Sequence, residues 1–171
     1  MKKYTIILLP EKNAAKEVKE LRIKYTGQKF TDALPPHITL RRSFFMRPNI
    51  AEIELKKAIQ SFSMKKITTT FSKVEKMGEN TLVLLAKNEK QFSAEHEKIT
   101  TLLNPISVAK RPEWDKKNYK PHLTIFRKPE LLQKIKDFTL PEITFDTLCL
   151  YDIDPSPAHA FADKVICKKL T

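Results

Sequence analysis

The chain has 171 residues, about the length of one domain, and 41% of them are hydrophobic, which is enough for a core and excludes a disordered protein. Lysine and arginine number 32 against 20 aspartates and glutamates, so the formal net charge is +12. Such a charge favours polyanionic partners such as RNA or phosphorylated metabolites, although a lysine-rich solvated surface has the same composition.

The first half of the chain alternates between strand and helix patterns. The apolar run 4–9 ends at Pro10 and is too short for a signal peptide or a membrane helix, so it predicts a buried strand in a cytoplasmic protein. Pro35 and Pro36 exclude a helix at the residues that follow them. The other predicted elements are a helix over 11–25, a strand over 37–45, a helix over 50–62 capped by Asn49, and a hairpin of strands 67–76 and 81–87.

The second half continues this alternation. A helix is predicted over 89–103, where Phe92, His96 and Ile99 share an apolar face, and His96 is therefore interpreted as a structural histidine. A polar, proline-containing loop follows over 104–120. The remaining predictions are a strand over 122–127, a short helix over 129–138, and strands over 142–151 and 161–169.

Several kinds of site find no support in these residues. Two glycines are too few for a P-loop or a dinucleotide-binding loop. The four histidines and the acidic residues show no metal-binding spacing, so neither a metal nor a cofactor is expected. Cys149 and Cys167 form no CxxC motif. Two adjacent strands could bring them together, but free thiols are the expectation for a cytoplasmic protein.

One motif occurs twice, separated by about half the chain. Residues 36–42 read PHITLRR and residues 121–127 read PHLTIFR. The Pro, the His, the Thr and the final Arg are identical, and two aliphatic positions exchange only Ile and Leu. A repeat of this kind predicts two similar lobes that each present the same strand.

The alternation of side chains along a strand gives this repeat a chemical meaning. His37 and Thr39 share one face of a strand, as do His122 and Thr124, while the aliphatic residues face the core. One imidazole can accept a proton from water or a ribose hydroxyl, and the other can protonate the leaving oxygen. A threonine hydroxyl can donate a hydrogen bond to a phosphoryl oxygen. A single His-x-Thr is a weak signal, but two matching copies favour phosphodiester chemistry.

The motifs HITL at 37–40 and HLTI at 122–125 resemble those of the two-histidine (2H) phosphoesterase superfamily, and most closely its bacterial 2′-5′ RNA ligase-like branch. The resemblance covers the whole chain in length and motif placement. It implies an α+β fold of two pseudo-symmetric lobes, with mostly antiparallel sheets flanking a central cleft and helices outside. Residues 1–171 are then expected to form a single bilobal domain.

The resemblance also implies a function. Members of the family hydrolyse 2′,3′-cyclic phosphates or 2′-5′ phosphodiester bonds, and some join RNA ends. Carried over to this sequence, His37 and His122 are the acid–base pair of a metal-independent enzyme. Thr39 and Thr124 are expected to bind phosphate.

Arginines near the motifs are candidate phosphate ligands. An unbroken strand places Arg41 on the cleft side, because it lies four residues after His37. Arg42 and Arg127 are related by the repeat but would face away, unless a bulge or a strand end reverses them. We predict substrate contacts for Arg41 and Arg127, whose guanidinium groups suit phosphate oxygens.

Other residues near the second motif leave alternatives open. Phe126 could stack on a base or pack in the core, and Tyr119 with Lys120 could line the rim of the cleft. Trp114 lies in a basic loop over 110–117, where it could stack on RNA or plug an edge of the core. The predicted partner is an RNA or nucleotide substrate, bound by a monomer without a membrane. A noncatalytic RNA-binding module and a phosphodiesterase for a small metabolite are the alternatives.

Overall fold

The computed structural model describes residues 2–26, 34–114, 118–153 and 162–171. Its strands are β1 (Lys3–Pro10), β2 (Ile38–Met46), β3 (Ile67–Thr69), β4 (Phe71–Met77), β5 (Thr81–Ala86), β6 (Ser107–Ala109), β7 (His122–Phe126), β8 (Ile143–Asp152) and β9 (Asp163–Lys169). Its helices are α1 (Lys12–Thr26), α2 (Glu52–Ser61), α3 (Glu89–Leu103) and the single turn α4 (Leu132–Ile135), with 3₁₀ turns at Pro112–Trp114 and Pro129–Leu131. In the residues described, no helix is long and apolar enough to cross a membrane.

The strands form one curled antiparallel sheet in the order β3-β8-β1-β2-β7-β5-β4. Two further strands pair with strands of this series. β9 pairs with a segment of β8 that follows the segment paired with β3, and β6 pairs with the C-terminal end of β2, whereas β7 pairs near its N-terminal end. β2 and β7 meet at a single residue pair, Ile38 with Leu123. The sheet therefore consists of two arms that join at the two motifs, which confirms the predicted α+β fold of two lobes around a cleft.

Each arm takes strands from both halves of the chain. In one arm β8 pairs with β1 and β9 pairs with β8, while in the other arm the hairpin of β4 and β5 extends the sheet beyond β7. The helices also connect the arms. α1 follows β1 and packs against both β1 and β7, whereas α3 follows β5 and packs against β2. Each motif strand therefore packs against a helix from the other half of the chain.

The face of the sheet that packs against the helices is aliphatic and aromatic. Ile38 and Leu40 of β2 and Leu123 and Ile125 of β7 are all 0% exposed and belong to one core cluster, together with Phe92 of α3. Burying a side chain of this size contributes about 1.5–3 kcal/mol. These four aliphatic residues therefore fix which face of each motif strand is left for the groove.

Two predicted helix boundaries differ for local reasons. Asn49 has a φ of 67° and lies in a turn, so it does not cap α2, whose N-cap residue is Ala51. The helix predicted over 129–138 is reduced to a 3₁₀ turn and α4. Leu131 and Ile135 bury the apolar side of this short segment, and the chain turns immediately afterwards toward β8.

Cys149 of β8 and Cys167 of β9 are opposite each other in the strand register and form a disulfide. The expectation of free thiols is therefore wrong. The antiparallel pairing brings the two Cα atoms to 4.2 Å, and no linear motif signals such a pairing. Cys149 is buried with Ile7 and Tyr151 in a small apolar cluster separate from the main core.

Candidate active site

The two His-Thr pairs face each other where β2 meets β7. The strands are antiparallel and join at one residue pair between the motif residues. In this antiparallel register, the residue before Ile38 is opposite the residue after Leu123, so His37 lies opposite Thr124. In the same way, Thr39 lies opposite His122. All four side chains line one groove with a volume of about 990 Å³. The histidine of each motif is thus beside the threonine of the other.

The same backbone contact fixes both imidazole rings. Nδ1 of His37 is 2.7 Å from the carbonyl oxygen of Pro35, and Nδ1 of His122 is 2.8 Å from the carbonyl oxygen of Lys120. Since a carbonyl oxygen only accepts, Nδ1 carries the proton and donates it in both rings. Nε2 is left for the groove, where it accepts a proton when the ring is neutral and donates one when the ring is charged.

Burial and nearby positive charge favour the neutral form of both rings. Burial, the largest cause, lowers the pKa of His37 to about 4 against the opposition of its backbone hydrogen bond. Charges on His122, Arg22 and Arg127 act in the same direction as burial. Burial also lowers the pKa of His122, and the charge on Arg42 contributes to this effect.

Each motif strand contains a bulge directly after its threonine. On β1, the neighbouring residues Ile6 and Ile7 are opposite Arg41 and Thr39 of β2. Leu40, which lies between Thr39 and Arg41, is therefore the extra residue. On β7 the extra residue is Ile125, opposite one step of β5. A bulge of this kind shifts the alternation of side chains by one position. The two copies of the repeat therefore share the bulge as well as the sequence.

The bulges decide which arginines reach the groove. Arg41 is 1% exposed, and its guanidinium lies 4.8 Å from the centre of the Phe44 ring and 3.5 Å from Asn104 Oδ1. The prediction that Arg41 contacts substrate is wrong, because the bulge turns its side chain into the core. Arg42 and Arg127 line the groove. A contact between Arg127 and substrate stays a prediction.

Of the two alternatives for Phe126, the structure shows core packing. The bulge turns this ring away from the groove and into the core. The ring is 3% exposed there, and it packs edge to face against the Tyr25 ring with the ring centres 6.3 Å apart. Tyr119 and Lys120 line a pocket that adjoins the groove, as predicted for the rim. The stacking role considered for Trp114 concerns a side chain outside the described part of the chain.

Side chains hold the carbonyl groups at the first bulge. Tyr119 Oη donates a hydrogen bond to the carbonyl of Thr39 at 3.0 Å, and His96 Nδ1 lies 2.6 Å from the carbonyl oxygen of Leu40. The rings of His96 and Tyr119 stack with their centres 4.1 Å apart. His96 is buried here, which confirms its interpretation as a structural histidine.

Arg22 of α1 holds the carbonyl groups at the second bulge. It is 2% exposed, and it donates from Nη2 to the carbonyl of Thr124 and from Nε to the carbonyl of Ile125. Arg22 was not predicted as a functional residue from the sequence. The available signal was its position one turn after the buried Val18, because an arginine on a buried helix face requires hydrogen-bonding partners.

The groove is cationic and continues into a second pocket of about 710 Å³. Thr39, Arg42 and His122 line both cavities, whereas His37 lines the larger one. The basic residues that line the larger cavity are Arg22, Arg42, Lys110, Arg111 and Arg127. Within the described residues, no three His, Cys, Asp or Glu side chains are grouped as metal ligands.

The fold has counterparts among known proteins. A sequence model of the 2′-5′ RNA ligase superfamily matches residues 10–156, whereas no curated protein sequence matches the chain. TT0787 of Thermus thermophilus has the same fold with a TM-score of 0.66 at 14% identity, over 99% of this chain and 98% of its own. E. coli LigT complexed with 3′-AMP has a TM-score of 0.59 at 14% identity with the same coverage. A crystal structure described as a phosphoesterase has a TM-score of 0.59 at 17% identity, also over 99% and 98% of the two chains.

The identities to these structures are low, so they establish the fold alone. The superfamily model is independent of them and covers most of the chain, including both histidine motifs. The chain therefore belongs to the 2′-5′ RNA ligase superfamily of two-histidine phosphoesterases.

Proposed function

We propose that this chain is a metal-independent phosphoesterase that hydrolyses 2′,3′-cyclic phosphate or 2′-5′ phosphodiester bonds in RNA or nucleotides. The observation that carries the proposal is the crossed pairing of the motifs in one groove. It sets two imidazoles, each with Nδ1 tied to a backbone carbonyl, on either side of a space lined by two threonine hydroxyls. This is the arrangement that proton transfer to and from a phosphodiester requires.

The reaction assigns each proton to a histidine. Nε2 of one neutral imidazole accepts a proton from water as the water oxygen bonds to phosphorus. The bond from phosphorus to the 2′ or 3′ oxygen breaks, and Nε2–H of the other, charged imidazole protonates that oxygen. The product is a phosphomonoester, and proton exchange with solvent restores both rings. With a ribose hydroxyl in the place of water, the same attack on a 2′,3′-cyclic phosphate joins two RNA ends: the hydroxyl oxygen bonds to phosphorus, one bond from phosphorus to the 2′ or 3′ oxygen breaks, and the charged imidazole protonates the oxygen that leaves. This joining is the reverse of phosphodiester cleavage to a cyclic phosphate.

Thr39, Thr124 and Arg127 complete the binding scheme. The threonine hydroxyls donate to the nonbridging oxygens, whose negative charge grows as the attacking oxygen approaches. Arg127 lines the same groove and offers a planar fork of donors to an anionic phosphoryl group.

A nucleotide is the substrate class that the comparisons favour. The similar structure of E. coli LigT has been solved with 3′-AMP, with ATP and with NADP+. The net charge of +12 favours a polyanion over a neutral metabolite. We therefore propose RNA or a nucleotide as the substrate of this chain.

The test is turnover of 2′,3′-cyclic nucleotides and a 2′-5′ dinucleotide in the presence of a chelator, with wild-type protein, His37→Ala and His122→Ala. Each substitution is expected to lower kcat by about 10²–10⁴-fold, the usual contribution of one acid–base group. Thermal unfolding of each variant checks that the fold is retained.

Two outcomes would contradict the proposal. Turnover that survives in both variants would show that the histidines are not the acid–base pair. Absence of turnover in the wild type, together with RNA binding that His37→Ala leaves unchanged, would instead identify a noncatalytic RNA-binding module.

A further inference from the structure

The repeat extends beyond the histidine and threonine to an arginine. Arg42 and Arg127 are the last residues of the two seven-residue motifs. A regular strand would turn both away from the groove, but the bulges at Leu40 and Ile125 reverse them. Both arginines line the groove as a result. The sequence repeat, the repeated bulge and the shared cavity thus give the two arginines equivalent positions.

The positions are crossed with respect to the histidines. Because β2 and β7 are antiparallel, each strand runs beyond its threonine past the histidine of the other strand. Arg42 and His122 accordingly lie on the same side of the groove, where it opens into the second pocket, and both residues line that pocket. Arg127 lies in the larger cavity with His37. The electrostatic effects agree with this geometry, since Arg42 acts on His122 and Arg127 acts on His37.

We propose that Arg42 and Arg127 are a crossed pair of substrate-binding residues, in which Arg42 holds an anionic phosphoryl oxygen beside His122 and Arg127 holds one beside His37. The proposal rests on the proposed function for the identity of the reacting group, which is a phosphodiester. It adds Arg42 as a substrate contact and assigns each arginine to one histidine. Arginine suits this role because its guanidinium remains charged and can bind two oxygens of one phosphate at once.

The pairing couples substrate binding to histidine protonation. In the empty groove each guanidinium disfavours a second positive charge on the imidazole that it faces. A bound phosphate compensates that charge, so the imidazolium becomes more favourable when an anionic substrate is present. The substrate phosphate therefore favours the protonated form of the histidine that donates a proton to it.

Other charged groups also face the two rings. Arg22 of α1 and the opposing His122 act on His37 in addition to Arg127. The pocket beside His122 carries further charged residues on β4, in the loop before β7 and in the 3₁₀ turn, namely Glu75, Lys76, Glu113 and Lys120. These groups remain in place when Arg42 or Arg127 is substituted, so the effect of each arginine can be measured against a constant background.

The experiment is an NMR titration of the ring signals of His37 and His122 against pH, with and without inorganic phosphate as the probe. Arg42→Gln should raise the pKa of His122 and leave that of His37 unchanged. Arg127→Gln should raise the pKa of His37 and leave that of His122 unchanged. Each variant should also weaken phosphate binding by about tenfold, the usual effect of losing one charge-assisted contact. Arg47→Gln is the matched control, since Arg47 is exposed and its Nε bonds to a carbonyl at 3.3 Å outside the groove.

Arg42→Lys separates charge from shape. It should keep the pKa of His122 low while still weakening phosphate binding, because an ammonium group repels the imidazolium but lacks the planar fork. Arginine variants that move neither histidine, or that move both equally, would overturn the crossed pairing. Because this readout needs no turnover, crossed effects without any hydrolysis would refute the proposed function alone, and hydrolysis without crossed effects would refute this inference alone.

Discussion

The two histidines share a motif and a backbone tether, but their surroundings differ. Burial lowers the pKa of His37 to about 4, and the nearby charges of Arg22 and Arg127 act in the same direction. His37 is therefore neutral over nearly all of the pH range in which the fold is expected to function, which suits a general base. At His122 the charge of Arg42 is the one charge that adds to the effect of burial, whereas three charges do so at His37, so His122 retains a proton more readily and suits a general acid. We expect His37 to be the base and His122 the acid in hydrolysis.

The assignment predicts a bell-shaped pH dependence of kcat/KM with an acidic optimum. A base must be neutral, so activity rises with pH through the pKa of His37, about 4. An acid must be protonated, so activity falls as pH rises through the pKa of His122, which lies below its usual 6.5. Steady-state rates with a 2′,3′-cyclic nucleotide across acidic and neutral pH would test this. Activity that keeps rising through neutral pH would contradict it.

Single residues also show how far sequence reasoning reaches. Strand alternation correctly predicted that His37, Thr39 and their counterparts face a groove, because the aliphatic residues between them have only the core to face. The same alternation placed Arg41 wrongly. A bulge depends on how the neighbouring strand pairs, and that pairing is not encoded in the motif itself.

At the scale of elements, both motif strands depend on side chains that bind their bulged carbonyl groups. A buried carbonyl without a partner costs about 1–3 kcal/mol, and each bulge has two such groups. Tyr119 and His96 bind the pair on β2, and Arg22 alone binds the pair on β7. The helices α1 and α3, together with Tyr119 in the loop before β7, therefore also determine the positions of Thr39 and Thr124.

Arg22→Met should lower the free energy of unfolding by about 2–4 kcal/mol, because it removes two side-chain hydrogen bonds from the carbonyl groups of Thr124 and Ile125 while keeping the apolar stem. Tyr119→Phe removes one such bond and should cost about 1 kcal/mol. Both should lower kcat more than they raise KM, since they displace a threonine that we propose binds the reacting phosphate. Urea unfolding and steady-state kinetics would measure the two effects.

Arg47→Met is the matched control for Arg22→Met, because Arg47 is exposed and bonds to one carbonyl. A surface change of this kind is usually within about 0.5 kcal/mol. Equal destabilisation by the two arginine variants would show that Arg22 has no special role at the bulge.

The elements themselves were largely predictable, but their pairing was not. Periodicity and proline positions located the main helices and most strands within a few residues. They missed β6, which lies in the predicted loop over 104–120, and they gave β3 and β4 as one strand over 67–76, although β3 pairs with β8 and β4 with β5. The disulfide between Cys149 and Cys167 depends on the pairing of β8 with β9, which only the folded sheet specifies. The crossing of α1 and α3 between the arms has the same origin, and so does the role of Arg22.

For the whole molecule, the pseudo-symmetric arms and the net charge of +12 act together. The arms converge on a groove lined by arginines and lysines, so the surplus of positive charge is represented at the site as well as on the surface. A reacting phosphate carries one negative charge, and a longer nucleic acid carries further charges that the remaining cations can contact. On this ground we expect RNA ends to be better substrates than isolated nucleotides.

This preference can be tested by its salt dependence. If a cyclic-phosphate-terminated oligoribonucleotide neutralises about three cationic contacts, its affinity should fall roughly 20-fold when the salt concentration rises about fourfold, since each contact to a single strand releases about 0.7 of a counterion. A 2′,3′-cyclic mononucleotide makes one such contact and should lose less than about threefold. The measurement is KM, or Kd in an inactive His122→Ala variant, at several salt concentrations.

Two variants locate the effect. Replacing Lys110 and Arg111, which line the groove, with glutamine should flatten the salt dependence for the oligonucleotide. Lys16→Gln removes a charge from an exposed ion pair on α1 and should leave it unchanged. Equal salt dependence for the oligonucleotide and the mononucleotide would mean that the positive charge does not engage a nucleic acid chain. The substrate would then be a small phosphodiester, because the reacting phosphate would be the only anionic group that the groove recognises.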